Sequence, residues 1–489
     1  MPRFRIALTT VSLLALGGCM SAGNIDPPSA AALPQTFSAG QISPQPDDEW
    51  WTRFGDPRLV ELVEEAVSES PSVGIALART EQARAQARVQ RAQQLPQIGA
   101  NFSAARSRQP VGNLGGQLPT TEGGDDAPTG FVSNNFSLGA DVSWQTDLFG
   151  ALRAQTAAAR AEFFANEANL RATRQAVAAE TASLYFQLIE ARAQVEISRD
   201  VVETFGEIAR QVGNRADYGI APPNDKLLAI ANLETARAGL QQREEAAERL
   251  TRAFETVLRD YPSGTLSVPG VLPEVPVPPP TGLPAGLLER RPDIAAANFN
   301  LAAAGYRNLS ARRSLLPSIG LTGSVGTSSD ELGNLLDGDF LAWSIAGSIL
   351  QPIFQGGRLR AQVRLTDGRH DEALETYVQT VLSALREVET ALAVEAELAR
   401  SEAAFAVAAE AAQQSVDISF NRYRAGLDPL VNVLQSQQRA LDNRSAVLSA
   451  RRARLENRIN LHLALGGGFG SPDMTPDFIG TGIPGPAIP

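Results

Sequence analysis

The sequence predicts a mostly α-helical chain with a small transmembrane β part, built as two copies of one structural unit. Three observations support this fold class: a segment pattern that recurs along the chain, two very long stretches with helical periodicity, and four short stretches of alternating polarity. The 489 residues allow about three ordinary domains or one large fold. Hydrophobic residues make up 43% and charged residues 20%, which allows a packed core and argues against wholesale disorder.

The N-terminus has the features of a secretory signal. Two arginines precede a short apolar run, Ile6–Leu16, and Leu-Gly-Gly leads into Cys19, the only cysteine. This run is too short to anchor a chain across a bilayer, and no later stretch is apolar enough for a transmembrane helix. The motif resembles the bacterial lipoprotein signal, which implies removal of residues 1–18 and lipidation of Cys19 with N-palmitoyl and S-diacylglycerol groups. Met20, rather than Asp, after the cysteine favours the outer membrane; the alternative is an ordinary signal peptide with an incidental cysteine.

Internal repetition is visible in matched segments. Pro71 begins a segment that ends Leu-Pro-Gln-Ile at Ile98, and Pro292 begins one of equal length that ends Leu-Pro-Ser-Ile. Further on, the Leu-Arg-Ala-Gln that begins at Leu152 recurs at Leu359 with a shorter separation. The chain is therefore predicted to contain two copies of one unit. The first copy carries an insertion, for which the Gly-, Pro- and Asp-rich stretch 109–130 is the predicted exposed loop.

Four segments alternate apolar and polar residues: 96–105, 135–146, 317–327 and 341–351. In the second segment the apolar positions are Phe136, Leu138, Ala140, Val142 and Trp144. This period of two predicts half-buried strands, and about ten residues is the length of a tilted membrane strand. A soluble sheet with one wet face is the alternative. Asp141 falls on the polar side, where either a lumen-facing role or simple solvation would explain it.

The long stretches Phe149–Gln211 and Gln355–Arg424 contain no proline and predict helical rods, the first on the order of 90 Å long. In the second stretch the apolar residues that step by four and three, as in a coiled coil, are Leu374, Val378, Val381, Leu385, Val388 and Leu392. Such rods need other helices against their apolar faces to be stable in water.

Sharp turns follow both rods. Gly219 and Gly426 suit the left-handed position after a helix, and Pro222-Pro223-Asn224-Asp225 and Asp428-Pro429 suit a helix start. Each rod is therefore predicted to turn back into a shorter helix. The predicted shorter helices are Lys226–Arg259 and Leu430–Leu465.

Four amphipathic strands cannot close a barrel, for which about eight is the practical minimum, and lipid tolerates no open sheet edge. The strands must therefore be pooled among several chains. Three chains would give twelve strands, and the attached rods would continue the wall as a helical cylinder. Closure and symmetry alone do not fix the number three.

Composition and motifs disfavour several other functions. The formal net charge is −11, whereas a nucleic-acid binder normally presents a basic surface. Two His and one Cys exclude a His-rich metal cage and a disulfide framework. The glycines 466–468 follow a helix and so do not cradle phosphate, and His370 and His462 are expected in surface or packing roles. We predict no catalytic site, metal, cofactor or nucleic-acid partner.

Four motifs along the chain belong together. They are the lipid signal, Trp-Trp-x-Arg-Phe-Gly-Asp-Pro at Trp50–Pro57, Arg291-Pro292-Asp293-Ile294 with Leu315-Leu316-Pro317, and Arg-Tyr-Arg-Ala-Gly-Leu-Asp at 422–428. In these motifs the chain resembles the TolC/OprM-like outer membrane factors of tripartite RND-type efflux systems, in their lipoprotein branch. The resemblance covers nearly the whole chain.

The resemblance implies a homotrimer with a 12-stranded β-barrel in the outer membrane, four strands per chain, continuous with an α-helical tunnel across the periplasm. The implied function is passive conduction of small molecules, such as drugs and toxic compounds, to the cell exterior. The implied partners are outer membrane lipids, a periplasmic adaptor (membrane fusion) protein and an inner-membrane RND-type transporter that supplies the energy.

The resemblance also implies a gate at the periplasmic end, where the helix turns lie. Asp428 would contribute to an acidic ring, and Tyr423 and Arg424 would form a lock, with Asp217, Tyr218 and Asp225 opposite. A helix N-cap is the alternative role for Asp428, and turn packing is the alternative for Tyr423. A second charged ring is in doubt because Asn432 and Gln435 stand where TolC-type members carry acids.

The predicted organisation has six parts. They are the signal peptide 1–18, a lipidated extended segment with belt 19–56, a first efflux repeat 57–259, a Pro-rich connector with belt 260–290, a second repeat 291–465 and a C-terminal tail 466–489. Three other functions remain open: a type I protein secretion conduit, a structural coiled-coil envelope lipoprotein and, least favoured because no catalytic site is evident, a hydrolytic lipoprotein. The gated channel predicts more leak in Asp428→Ala.

Overall fold

A computed structural model describes residues 49–110, 130–279, 286 and 290–467 of the chain. The predicted signal peptide, Cys19, the middle of the predicted loop and most of the predicted tail lie outside the described residues. The helices are α1 (Pro57–Glu69), α2 (Pro71–Ala92), α3 (Ala151–Asp217), α4 (Pro223–Val257), α5 (Pro292–Arg313), α6 (Arg358–Arg424) and α7 (Leu430–Ala464). The strands are β1 (Gln97–Pro110), β2 (Gly130–Thr146), β3 (Ser318–Ser329) and β4 (Leu341–Leu350).

The two predicted copies are confirmed by matching element lengths. The succession α2-β1-β2-α3-α4 recurs as α5-β3-β4-α6-α7. Helices α2 and α5 each have 22 residues, α3 and α6 each have 67, and α4 and α7 each have 35. The rod α3 continues to Asp217, beyond the predicted end at Gln211, because residues 211–217 contain no proline and a single glycine, Gly213, is tolerated inside a helix. Similarly, α4 begins at Pro223 because proline is tolerated in the first turn of a helix.

The four strands form one antiparallel sheet in the order β1-β2-β3-β4. Its register places Phe102 opposite Leu138, Ala140 opposite Val325, and Val325 opposite Trp343. All these residues lie on one face, so the apolar positions of the four strands combine into one continuous apolar surface. β1 and β2 extend several residues beyond the predicted segments, to Pro110 and back to Gly130, so the ends of the predicted loop 109–130 belong to the hairpin.

The N-terminal motif folds as an anchor in the main core. Trp50 is fully buried and stacks on His462 of α7, with 5.5 Å between the ring centres. Asp56 caps α1 by accepting hydrogen bonds from the backbone of Arg58 and Leu59, and it also accepts the hydroxyl of Tyr185 on α3. Burial, reinforced by this hydrogen bond, raises the pKa of Tyr185 above its usual value. The motif therefore packs the start of the described chain against both α3 and α7.

Helix α7 lies between α3 and α6 and carries a charged seam toward each of them. Toward α6, the guanidinium of Arg458, whose side chain is 1% exposed, lies 2.7 Å from Glu395. Arg451 and Arg454 bind Glu402 at 2.8 and 2.6 Å. Burial alone raises the pKa of Glu402, but these two arginines outweigh it and hold the pKa below its usual value.

Toward α3, Arg452 of α7 contacts Glu190, and Ser449 donates to the same carboxylate at 2.5 Å. Buried ion pairs add little net stability, but they fix the register of the helices that share them. Within the described ranges, no helix combines the length and apolarity that crossing a bilayer requires.

We expect Glu395→Ala to lower the free energy of unfolding by about 3 kcal/mol, because Arg458 would remain buried without its carboxylate. The matched control is Glu397→Ala. Glu397 lies two residues after Glu395 on the same helix, and its carboxylate is exposed and paired with Arg400. Denaturant unfolding of the purified protein measures both changes. Equal midpoints for the two variants would contradict the assigned role of the seam.

Candidate functional site

The functional expectations concern two regions at opposite ends of the long helices. The sheet lies at one end of α3 and α6, and the turns into α4 and α7 lie at the other. A helix of 67 residues separates the two ends by about 100 Å. Each region is described in turn.

The apolar face of the sheet is uncovered. Trp343 is 72% exposed, Ile345 is 80% exposed, and every residue of β4 is exposed. An apolar surface of this kind, spread over four strands, is typical of contact with a membrane or with another protein. The outer strands β1 and β4 also each have one edge that pairs with no other described strand.

The opposite face of the sheet carries small polar side chains that bond to one another. The hydroxyls of Ser103 and Ser137 lie 2.8 Å apart, as do those of Ser324 and Ser344. Asp141 lies on this polar face, as the sequence predicts, between Gly99 of β1 and Ser324 of β3. The face offers hydroxyl and amide groups that water can solvate, in contrast to the other face of the same strands.

The two turns share one backbone design. Gly219 and Gly426 have positive φ angles of 71° and 76°, as predicted. The amide of Ile220 donates to the carbonyl of Arg215 at 2.8 Å, and the amide of Leu427 donates to the carbonyl of Arg422 at 2.9 Å. This is the Schellman motif, in which glycine allows the chain to reverse direction immediately after a helix.

Asp428 does not cap a helix. Helix α7 begins at Leu430 with Pro429 at its N-cap, and no side chain caps it. The carboxylate of Asp428 instead accepts two hydrogen bonds from Arg422, at 2.7 Å from Nε and 3.3 Å from Nη2. These hydrogen bonds lower the pKa of Asp428. The N-cap alternative is therefore wrong, and the aspartate is one half of an ion pair across the turn.

Tyr423 links the two turns through Arg215. Its ring is buried beneath the Arg215 guanidinium, which lies 5.4 Å from the ring centre, and Arg215 also donates to the carbonyl of Arg424 at 3.2 Å. Burial first, and then the charge of Asp225, raise the pKa of Tyr423. Tyr423 therefore packs within the turn region, and its hydroxyl is buried without a hydrogen-bond partner among the described residues.

Among the described residues, the other predicted gate residues form no hydrogen bond with Tyr423 or Asp428 within one chain. Asp217 binds Lys226 of its own turn at 2.7 Å, and Tyr218 is 83% exposed. Arg424 contributes its carbonyl to Arg215. Sequence reasoning assigned no role to Arg215 or Arg422, although these arginines occupy equivalent positions in the two copies. That equivalence was the available signal, because a charged residue kept beside both turn glycines needs a partner.

The family described as outer membrane efflux protein matches residues 62–257 and 283–467. Outer membrane protein OprJ of Pseudomonas aeruginosa is 30% identical over 477 residues, which cover 96% of each chain. The probable outer membrane lipoprotein SilC of Salmonella typhimurium is 28% identical and covers 95% of this chain and 99% of its own. The solved structure of the outer-membrane channel OprN superposes with a TM-score of 0.77 at 28% identity, over 89% of this chain and 95% of OprN.

The Arg422–Asp428 pair is expected to survive mild acid. The folded pKa of Asp428 lies below its ordinary value of about 3.9, so the pair contributes its stability above that value and loses it as pH falls through the lower, folded pKa. We expect the difference in thermal midpoint between the native chain and Asp428→Asn to stay constant from pH 8 to pH 5 and to shrink below about pH 4. A difference that disappears already at pH 6 would contradict the pair.

Proposed function

Because the chain belongs to the outer membrane efflux protein family, we propose that three copies pool their strands into one 12-stranded barrel in the outer membrane. The observation that carries this proposal is the sheet, with its bare apolar face and its two unpaired edges. In lipid such edges must be paired, and four strands are too few to pair them within one chain. Joining β4 of one copy to β1 of the next satisfies both edges and turns the apolar face toward lipid. The number three is supplied by the family resemblance.

The assembled protein is a passive conduit. The rods extend about 100 Å from the sheet, so a ring of them continues the barrel as a helical tunnel through the periplasm. Water fills the path because the polar face of the sheet turns inward. A periplasmic adaptor protein and an inner-membrane RND-type transporter deliver small molecules such as drugs to the tunnel and supply the energy. The chain itself carries out no chemical reaction.

Cys19 anchors the chain to outer membrane lipids. The Leu-Gly-Gly-Cys sequence supports lipidation there, and the relative SilC is described as a probable lipoprotein. Trp50, 31 residues after Cys19 in sequence, is buried in the core and stacks on His462 of α7. Mass spectrometry of the purified protein tests this: a mature chain that begins at Cys19 with three acyl chains is expected, and an unmodified thiol would contradict it.

The helix turns form the periplasmic gate. The Arg422–Asp428 pair stiffens the second turn, and Arg215 clamps Tyr423 between the turns. Tyr423 and Arg424 would lock adjacent helix pairs; the Tyr423 hydroxyl is buried and unpartnered within one chain, so the turn would have to shift for it to reach a neighbouring chain. Exposed Tyr218 and the Asp217 and Asp225 carboxylates are the candidate groups on the facing copy. Small rotations of the helices would break these contacts and open the mouth.

A protein secretion conduit is the nearest alternative, since it would use the same architecture with a different inner-membrane partner. A deletion strain tested against a panel of toxic compounds separates the two. Increased sensitivity supports efflux, whereas unchanged sensitivity together with loss of a secreted protein supports secretion. A purely structural coiled-coil lipoprotein is disfavoured because it has no use for an apolar sheet face.

Barrel closure predicts a specific cross-link. We expect Ser344→Cys on β4, combined with Asn101→Cys or Ser103→Cys on β1, to form disulfides between copies, because these positions share the polar face at the two edges. Non-reducing gel electrophoresis should then show a covalent trimer and nothing larger. Ser344→Cys with Phe102→Cys is the control, since Phe102 lies on the opposite face. Bands limited to dimer, or growing beyond trimer, would contradict the closed ring of three.

The gate predicts greater leak in Asp428→Ala. Removing the carboxylate frees Arg422 and loosens the second turn, so the closed state loses stability. We expect the mean conductance of the protein in planar bilayers to rise by roughly twofold to fivefold, the range for loss of an exposed ion pair. Asp442→Ala is the matched control, because Asp442 lies on α7 beyond the turn and its one hydrogen bond among the described residues is to Gln438. Unchanged conductance in Asp428→Ala would remove this residue from the gate.

A further inference from the structure

Asp141 is the single charged residue on the polar face of the described sheet. The remaining residues of that face in the four strands are mostly Ser, Thr, Asn, Gln and Gly. Arg106 and Arg108 of β1 belong to the alternate positions, on the apolar side. A carboxylate is therefore isolated in a surface of otherwise neutral, small side chains.

The surroundings of Asp141 leave its carboxylate unshielded. Its cross-strand neighbours are Gly99 and Ser324. A Cβ atom at Gly99 would lie 3.1 Å from Oδ1 of Asp141, so glycine is what gives the carboxylate its space. The Ser324 hydroxyl is engaged with Ser344, and no described residue pairs with Asp141. The charge is exposed to whatever fills the space in front of this face.

The nearest cations do not cancel this charge. Arg106 lies opposite Asn134 on the neighbouring strand β2. Asn134 is seven residues from Asp141, so the two positions are about 23 Å apart along the strand. That distance is more than two Debye lengths at physiological salt. At the other end of the strand, Arg153 is already bound to Asp147 at 3.3 Å. The field in front of the middle of the sheet is therefore set by the Asp141 carboxylate.

We propose that Asp141 makes the strand-lined exit of the channel selective for cations over anions. This inference rests on the proposed function, because the polar face of each copy must line a common lumen. In a twelve-stranded ring of about 12 Å radius, three such carboxylates surround the path of every exported solute. Screened Coulomb attraction would enrich a monovalent cation on the axis about 1.5-fold at 0.15 M salt and about threefold at 0.01 M. The solute class favoured at this exit is the organic cation.

Reversal potentials across a KCl gradient near 0.01 M test the proposal. Asp141→Asn should lower the potassium-to-chloride permeability ratio about tenfold relative to the native chain, because the carboxylates enrich potassium and deplete chloride by equal factors; Asp141→Glu, which keeps the charge, should retain the native ratio. Conducting pores with the same ratio in Asp141→Asn and the native chain would overturn the role of Asp141 and leave the channel standing. If the native chain forms no pore at all, the proposed function fails and this inference fails with it.

Thiol labelling of intact cells provides an independent test of the face. Asp141→Cys should react with a membrane-impermeant thiol reagent, whereas Ala140→Cys, the adjacent position on the apolar side, should not. Labelling of residue 140 but not 141 would place the carboxylate outside the lumen and overturn the proposal. Cys19 carries S-diacylglycerol in the proposed lipoprotein and so offers no free thiol; labelling of the unaltered chain measures the background.

Discussion

The architecture depends on satisfying the backbone hydrogen bonds at the edges of a four-stranded sheet. Each chain has two open edges and a bare apolar face, and no described helix covers either. In water such a surface would aggregate, and in lipid the unpaired peptide groups would each be costly. Other features follow from this constraint. The rods must run away from the sheet in a common direction, and the copies must be related by rotation about one axis.

Each chain contains two repeats of the same structural unit, and the two repeats differ in detail. The arginine before each turn glycine shows this divergence. Arg422 neutralises Asp428 within its own turn, whereas Arg215 of the first repeat covers the ring of Tyr423, which belongs to the second repeat of the same chain. The arginine of the second turn therefore holds that turn together, whereas the equivalent arginine of the first turn connects the two turns. The seams of α7 have a related effect, because they fix how the second copy lies against the first.

Local sequence pattern was sufficient for the rods, the turn glycines and the faces of the strands. These features depend on periodicity and on backbone preference, both of which are visible within a few residues. The pairing of one polar side chain with another was not visible, whether the partners are near or far in sequence. Proximity in sequence suggested that Asp428 caps α7, but its partner is Arg422, because Pro429 intervenes and Leu430 starts the helix. The stacking of His462 on Trp50 and the burial of Arg458 likewise depend on helices that meet only in the folded chain.

The equal lengths of the corresponding helices have a geometric consequence. Both 67-residue rods leave the same sheet, and both return through 35-residue helices. The two tips of one chain consequently end at nearly the same height. In a ring of three chains, the six helix turns that follow α3 and α6 would alternate in one plane. An assembly with threefold symmetry would therefore have an approximately sixfold periplasmic end.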